Sequence, residues 1–267
     1  MITIENLSQV YETTSAGRVE ALRGVEPEIP EAEIVCLVGP SGCGKSTLLR
    51  ILAGFLEASD GTIRVDGRRV HGADPERGVV FQQPTLLPWY SVRDNVRLAH
   101  RYSGNESQKV AADELIELVG LADAADRLPH ELSGGMQQRT QIARVLAAGP
   151  RYVFMDEPFG ALDPFTREQL QAELLRVWAR SRPTIVFVTH SVEEALLLGH
   201  RVVVMAAGPG RVIEEVRVPD HLRIPVGEGE VSRETLQTRL RDLTAEPGFV
   251  ALRHEVTAAI NAAHAVI

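Results

Sequence analysis

The residues best suited to chemistry lie in a glycine-rich loop that also carries a lysine and two hydroxyl side chains. The loop reads Gly39-Pro40-Ser41-Gly42-Cys43-Gly44-Lys45-Ser46, and Thr47 follows it. Glycines at this spacing let backbone N–H groups converge on phosphate oxygens without a Cβ in the way. Lys45 would place its ammonium on the β- and γ-phosphates of a nucleotide, and the Ser46 hydroxyl would bind Mg²⁺. A chance glycine-rich turn is disfavoured, because an apolar run precedes the loop and a helical pattern follows it.

Two acidic residues form a second candidate for chemistry. Asp156 and Glu157 directly follow the apolar run Tyr152-Val153-Phe154-Met155. A carboxylate at the end of a strand suits Mg²⁺, so Asp156 is predicted to bind the metal. Glu157 would act as the general base that takes a proton from the attacking water. Two acids after a strand are on their own more often a helix cap or a solvated turn, and the phosphate loop in the same chain favours the catalytic interpretation.

A serine followed by two glycines marks a third site. Ser133, Gly134 and Gly135 precede a helical pattern, and a helix N-terminus of this kind binds anions. The segment Leu132-Ser133-Gly134-Gly135-Met136-Gln137-Gln138-Arg139 resembles the signature motif of the ATP-binding-cassette (ABC) ATPases, with Met136 where glutamine is commonest. The resemblance implies that this segment contacts the γ-phosphate of an ATP held by a second copy of the chain.

The same resemblance assigns roles to single residues elsewhere in the chain. Gln82, after Val80-Phe81, resembles the glutamine that senses Mg²⁺ and water, and Gln83 follows it directly. Asp163 resembles the aspartate of the D-loop, and His190 the switch histidine that touches the γ-phosphate. Tyr11 lies where the family stacks an aromatic ring on adenine.

The predicted site therefore comprises three sets of residues. The nucleotide-binding set is Tyr11, Gly39, Pro40, Ser41, Gly42, Cys43, Gly44, Lys45, Ser46, Thr47, Gln82, Ser133, Gly134, Gly135, Asp163 and His190. The catalytic set is Lys45, Gln82, Glu157 and His190, and the Mg²⁺ ligands are Ser46, Gln82 and Asp156.

The elements that must position these residues follow from hydrophobic periodicity. The first thirty residues read as strands, the continuous apolar run 34–38 reads as a buried parallel strand, and 184–188 reads as a further strand. Residues from about 89 to 147 have a helical pattern. The predicted fold class is α/β: a P-loop NTPase core with an antiparallel β-subdomain, an inserted helical subdomain and a short helical C-terminal tail. We expect an ATPase domain over 1–219, and a linker with a C-terminal helical extension over 220–267.

Composition limits the classes of partner. The chain has 28 Lys and Arg against 36 Asp and Glu, a net charge of −8, which argues against a protein whose main task is to hold nucleic acid. Cys36 and Cys43 are too few for a disulfide scaffold, so a reducing intracellular compartment is expected. We expect neither a signal peptide nor a membrane span, because no apolar run approaches the roughly 20 residues that a spanning helix needs.

The resemblance implies the ATP-binding and ATP-hydrolysing subunit of an importer. Its partners would be a second copy across the ATP sites, separate transmembrane permease subunits and, indirectly, an extracytoplasmic solute-binding protein. The chain would lie at the cytoplasmic face of the inner membrane, held peripherally by the permease, which would sit in a groove formed by the helical insertion and the Gln82 loop. Segments 86–89, 189–195 and 207–211 are similar to the nitrate, sulfonate and taurine importer branch.

Several alternatives remain open at this stage. One alternative function is that of a non-transport ABC ATPase in DNA repair or translation. Another is that of a binding module that clamps a partner without useful turnover of ATP. Cys43 is either a reactive thiol or a small packing residue, and packing is the commoner case. The tail either docks on the core or stabilises the dimer. Ala32 occupies a turn where the family usually has glycine, and Pro27 interrupts a strand.

Overall fold

A computed structural model describes residues 1–13, 17–224 and 232–264. The strands are β1 (Ile2–Thr13), β2 (Gly17–Val25), β3 (Ile34–Val38), β4 (Asp60–Val65), β5 (Arg68–Arg69), β6 (Arg77–Val80), β7 (Tyr152–Asp156), β8 (Thr184–Val188), β9 (Arg201–Ala206) and β10 (Arg211–Arg217). The helices are α1 (Lys45–Ala53), α2 (Val92–Val96), α3 (Leu98–Ser103), α4 (Glu106–Leu118), α5 (Gly134–Ala147), α6 (Pro164–Ser181), α7 (Val192–Leu198), α8 (Arg233–Ala245) and α9 (Pro247–His264). Short 3₁₀ turns lie at Ala122–Ala124, Pro129–Glu131 and Asp220–Leu222.

The chain divides into two units. The first unit contains Met1–Asp74, Pro183–Pro225 and Thr238–Ile267, and the second contains Pro75–Arg182 and Val226–Gln237. The domain boundary expected between residues 219 and 220 cuts the chain only once, whereas each of these units combines separate segments. That boundary stays a prediction.

Two sheets build the first unit. An antiparallel sheet has the strand order β2-β1-β4-β5. In the other sheet β3 pairs in parallel with both β8 and β9, and β10 pairs antiparallel with β9. Every residue of β3 and β8 is buried, which explains why β3 is a continuous apolar run and β8 is apolar after its first residue, Thr184.

The second unit is built on one parallel strand pair and several helices. β6 runs parallel to β7, with Val80 opposite Met155. β7 is wholly buried, and on α6 the side chains of Leu170, Leu174 and Trp178 are buried as well. The helical pattern expected from about 89 to 147 corresponds to α2 through α5, interrupted by two of the 3₁₀ turns.

The C-terminal helix packs on the first unit. α9 contacts α7, β9 and β10. Phe249 and Val256 on this helix are fully buried, and Arg253 forms an ion pair with Glu193 at 3.2 Å. This packing agrees with the interpretation that the tail docks on the core. Most of the Pro/Gly-rich linker expected before the tail helices, and part of the turn that the sequence predicts around Gly17, fall on residues outside the described ranges.

Candidate functional site

The glycine-rich loop joins a buried strand to a helix, as predicted. β3 ends at Val38, and α1 begins at Lys45. Gly44 caps α1 with φ of +88°, and a Cβ there would lie 2.4 Å from Leu22 Cδ2. Only glycine fits this backbone conformation and this space, so the turn into the helix depends on it.

Lys45 lies inside the loop with its ammonium already directed at the loop backbone. Its side chain is buried, and Nζ donates hydrogen bonds to the carbonyl oxygens of Gly39 at 2.8 Å and Pro40 at 2.9 Å. Cys43 is also fully buried, with Sγ 3.5 Å from Nζ of Lys45. Its burial favours the interpretation of Cys43 as a small packing residue.

The N-terminal end of α1 is suited to an anion. No side chain of the described residues caps it, and its first turn contains no acidic residue. The helix end therefore keeps its positive partial charge, to which Lys45 adds a full one. This donor set fits a polyphosphate, and the Ser46 hydroxyl beside it is the type of oxygen that Mg²⁺ accepts as a ligand.

Two further predicted residues lie close to this loop in the first unit. The Tyr11 hydroxyl on β1 is 3.4 Å from Oγ1 of Thr47. His190 follows β8, which runs parallel to β3 with Val188 opposite Leu37. Since both strands lead towards the same edge of the sheet, the exposed His190 and the phosphate loop are placed at that edge.

The acidic pair and Gln82 come together in the same way in the second unit. β6 and β7 are parallel, so the segments that follow them meet at one edge of this pair. Asp156 is buried as the last residue of β7, and Gln82 Nε2 donates a hydrogen bond to Glu157 Oε2 at 3.1 Å. Glu157 has φ of +47°, a conformation that costs a residue with a side chain about 1–2 kcal/mol. Strain of this kind is concentrated at functional sites.

Two glutamines that the sequence analysis missed hold the Gln82 loop. Gln138 and Gln141 on α5 are both buried, and the side-chain amide of each donates to the carbonyl oxygen of Phe81, at 3.2 and 2.7 Å. Gln141 Oε1 also accepts a hydrogen bond from the backbone N–H of Thr85 at 2.8 Å. The available signal was the presence of two amides on the inward face of a helix, where an apolar side chain is the usual choice.

The signature segment and the D-loop aspartate both lie at helix starts. Ser133 is the N-cap of α5, and its Oγ accepts a hydrogen bond from Met136 N at 3.3 Å, as a helix N-terminus predicts. Gly134 and Gly135 are the first two residues of α5. Asp163 is the N-cap of α6, and hydrogen bonds from Thr166 lower the pKa of its carboxyl group.

The signature and D-loop segments adjoin each other. A Cβ on Gly135 would lie 3.3 Å from Leu162 Cδ2, so the start of α5 lies beside the residue that precedes Asp163.

Ranges 1–13, 17–224 and 232–264 contain no group of three or more His, Cys, Asp or Glu side chains that is arranged to hold a metal ion. The same ranges contain no helix with the length and apolar character needed to cross a bilayer.

Comparison with known proteins identifies relatives that match nearly the whole length of the chain. The family described as ABC transporter matches residues 22–160. The taurine import ATP-binding protein TauB of Jannaschia sp. (strain CCS1) is 44% identical over 96% of this chain and 92% of its own length. The protein of the same name from Rhizobium johnstonii is 44% identical over 98% of this chain and 97% of its own length.

Solved structures agree with this relationship. A dimeric bacterial ABC transporter cassette has a TM-score of 0.75 and 31% identity, and covers 82% of this chain and 99% of its own length. A dimeric ATP-binding cassette in a post-hydrolysis state, bound to ADP and Pi, has a TM-score of 0.73 and 31% identity over the same shares. The predicted fold class and the predicted resemblance are thereby confirmed. The chain belongs to the ABC transporter family as an ATP-binding cassette, with the ATPase activity of that family.

Proposed function

We propose that this chain is the ATP-hydrolysing subunit of an importer for taurine or a related small solute such as another sulfonate or nitrate. The observation that carries the ATPase part is the buried Lys45 ammonium at the uncapped start of α1, which forms a cationic seat for phosphate among the described residues. The taurine import names of relatives that cover nearly the full length support the solute class.

The chemistry assigned to the chain is hydrolysis of ATP to ADP and phosphate. On binding, the phosphate oxygens of ATP would take over hydrogen bonds that Lys45 Nζ now makes to Gly39 and Pro40. Tyr11 would stack on the adenine. Mg²⁺, bound through Ser46, Gln82 and Asp156, would neutralise phosphate charge when present.

Glu157 is assigned the proton transfer. Its carboxylate would take a proton from the attacking water, and the Gln82 amide at 3.1 Å fixes the direction of that carboxylate. His190 would contact the γ-phosphate, where negative charge develops. The remaining donors, Ser133 with the two glycines after it and Asp163, would come from a second copy of the chain across the nucleotide.

Transport requires partners. We assign this chain a peripheral position at the cytoplasmic face of the inner membrane, bound to separate permease subunits that receive solute from an extracytoplasmic binding protein. The surface formed by α2 to α5 and the Gln82 loop is the proposed contact with the permease. No feature of the part of the chain that the structure describes favours the alternative role in DNA repair or translation.

The test is purification of the affinity-tagged chain from its native membrane fraction, with identification of the bound proteins by mass spectrometry. The recovered complex is then placed in liposomes together with the extracytoplasmic binding protein from the same cells. Uptake of radiolabelled taurine, an alkanesulfonate, nitrate and one sugar is measured with ATP inside the vesicle lumen or outside it. The matched control is the same complex with Lys45→Ala.

Uptake of taurine or another small anion that requires ATP and is lost in Lys45→Ala supports the proposal. ATP-driven uptake of the sugar alone overturns the solute class. Recovery of ribosomes or DNA-repair proteins, with no permease, overturns the transport role and leaves the ATPase in place.

A further inference from the structure

A buried carboxylate, Glu194, lies four residues after His190 in the sequence and has no part in the chemistry above. Glu194 is 6% exposed and Thr189 is 4% exposed, whereas His190 between them in sequence is exposed. A buried acidic group is costly to maintain unless it receives hydrogen bonds. The position of Glu194 therefore requires an explanation in terms of what it holds.

Three hydrogen bonds connect the residues on either side of His190. The Thr189 hydroxyl donates to Glu194 Oε2 and accepts from the backbone N–H of Ser191, at 3.1 Å. Ser191 Oγ accepts from the backbone N–H of Glu194 at 3.2 Å. Thr189 itself is anchored by its backbone N–H, which donates to the carbonyl oxygen of Leu37 on β3 at 3.2 Å. Both neighbours of His190 are thus held, and one of them is tied to the strand that leads into the phosphate loop.

The arrangement differs from an ordinary helix cap. Ser191 is the N-cap of α7 and Glu194 is its third residue, which is the spacing of a capping box. In a capping box the glutamate side chain accepts directly from the N–H of the cap residue. Here that N–H goes to the Thr189 hydroxyl, which passes the connection on to Glu194. The hydrogen bonds at the start of α7 therefore extend to Thr189, the residue before His190. Capping of the helix alone does not require this extension.

We propose that Thr189 and Glu194 are positioning residues that fix the backbone of His190 for its contact with the γ-phosphate. This inference rests on the role given to His190 under the proposed function. Neither residue belongs to the predicted nucleotide-binding set. Each acts through His190, whose side chain is exposed and has its direction set by a backbone clamped on both sides.

The test is a double-mutant cycle on ATP hydrolysis by the full chain. Thr189→Val removes the hydroxyl at nearly constant volume, Thr189→Ser keeps it, and His190→Ala removes the switch side chain. The double variant Thr189→Val/His190→Ala completes the cycle. For each protein kcat and KM for Mg-ATP are measured, with folding checked by circular dichroism.

Thr189→Val is expected to lower kcat by roughly tenfold to a hundredfold, the cost of a misplaced catalytic group, with KM almost unchanged. Thr189→Ser is expected to restore most of kcat. In the His190→Ala background Thr189→Val should change kcat by less than about twofold, because the residue through which it acts is already gone.

Contrary outcomes separate this inference from the function on which it rests. If His190→Ala retains full activity, the role of His190 is wrong and the inference falls with it. If His190→Ala loses activity while Thr189→Val keeps it, or if the two losses multiply in the double variant, only the positioning role is overturned. Should Thr189→Val fail to fold, Thr189→Val/Glu194→Gln lacks the same connection without the buried charge and replaces it in the cycle.

Discussion

Replacement of Glu157 by glutamine tests the assignment of the general base most directly. Glu157 and glutamine have the same length, and a glutamine oxygen accepts the hydrogen bond that Gln82 Nε2 now donates at 3.1 Å. The strained backbone, with φ of +47°, costs both side chains the same. The substitution therefore leaves the fold and the position of the side chain in place, and removes only the ability to take a proton from water.

The expected loss follows from that single change. A positioned general base contributes roughly 10²–10⁴-fold to a rate, so kcat of Glu157→Gln should fall by this factor. At 1.36 kcal/mol for each factor of ten, the loss corresponds to about 3–5 kcal/mol of transition-state stabilisation. Affinity for ATP should stay the same, because the phosphate seat at Lys45 is untouched.

The assay is phosphate release at saturating Mg-ATP, together with ATP affinity by equilibrium binding. Glu114→Gln, which neutralises an exposed carboxylate on α4 in the same unit, is the matched control and should behave as wild type. A Glu157→Gln chain that hydrolyses ATP within a few-fold of the wild-type rate would refute the assignment, because another group would then have to accept the proton.

Three other predictions concern stability. Ala32 has φ of +57°, and Ala32→Gly should raise the free energy of unfolding by about 1 kcal/mol in denaturant titrations, as relief of this conformation predicts. An unchanged denaturation midpoint would contradict the interpretation that the positive φ of Ala32 destabilises the turn. Phe249→Ala should cost about 3–5 kcal/mol, because the side chain is fully buried where α9 packs on the first unit, and a negligible shift in thermal melting would show that α9 does not dock. The pKa of Asp113 is lowered by its hydrogen bonds to Arg97, so its stabilising effect is present above the unfolded pKa of about 4 and is lost as pH falls through the lower folded value. Asp113→Asn should therefore be less stable than wild type at pH 7 and converge with it in acid, and a difference that persists at low pH would contradict the ion pair as its cause.

The sequence predicts elements well where burial imposes a simple pattern. The predicted strands 34–38 and 184–188 match β3 and β8 to the residue, because strands buried on both faces are composed almost entirely of apolar side chains. The phosphate loop is specified locally as well, since only glycine fits the positive φ and the limited space at position 44. The turn at Ala32 could be recognised from the family because glycine is expected there, and its positive φ agrees.

Features that depend on contacts distant in sequence were not predicted. The sequence pattern of two acidic residues after a strand does not indicate that Glu157 has a positive φ. Thr189 is connected to Glu194 through its hydroxyl group. In the hydrophobicity pattern this polar residue only marks the end of a strand, so the connection could not be predicted. Gln138 and Gln141 bind a carbonyl oxygen about 60 residues earlier in the chain, a pairing that only the folded second unit creates.

The hydrogen bonds between Gln141 and the Gln82 loop affect how a conformational change would pass through the second unit. Gln141 binds the loop at Phe81 and at Thr85, and it lies on the helix that begins directly after Ser133. An α-helix rises 1.5 Å per residue, so about 12 Å of stiff backbone separates the two ends of this connection. A displacement of the loop would therefore also shift Ser133, because the helix that connects them moves as a rigid body. Because the joints are hydrogen bonds between uncharged groups, the transmission is mechanical, and added salt, which weakens signals carried by surface charge, would leave it intact.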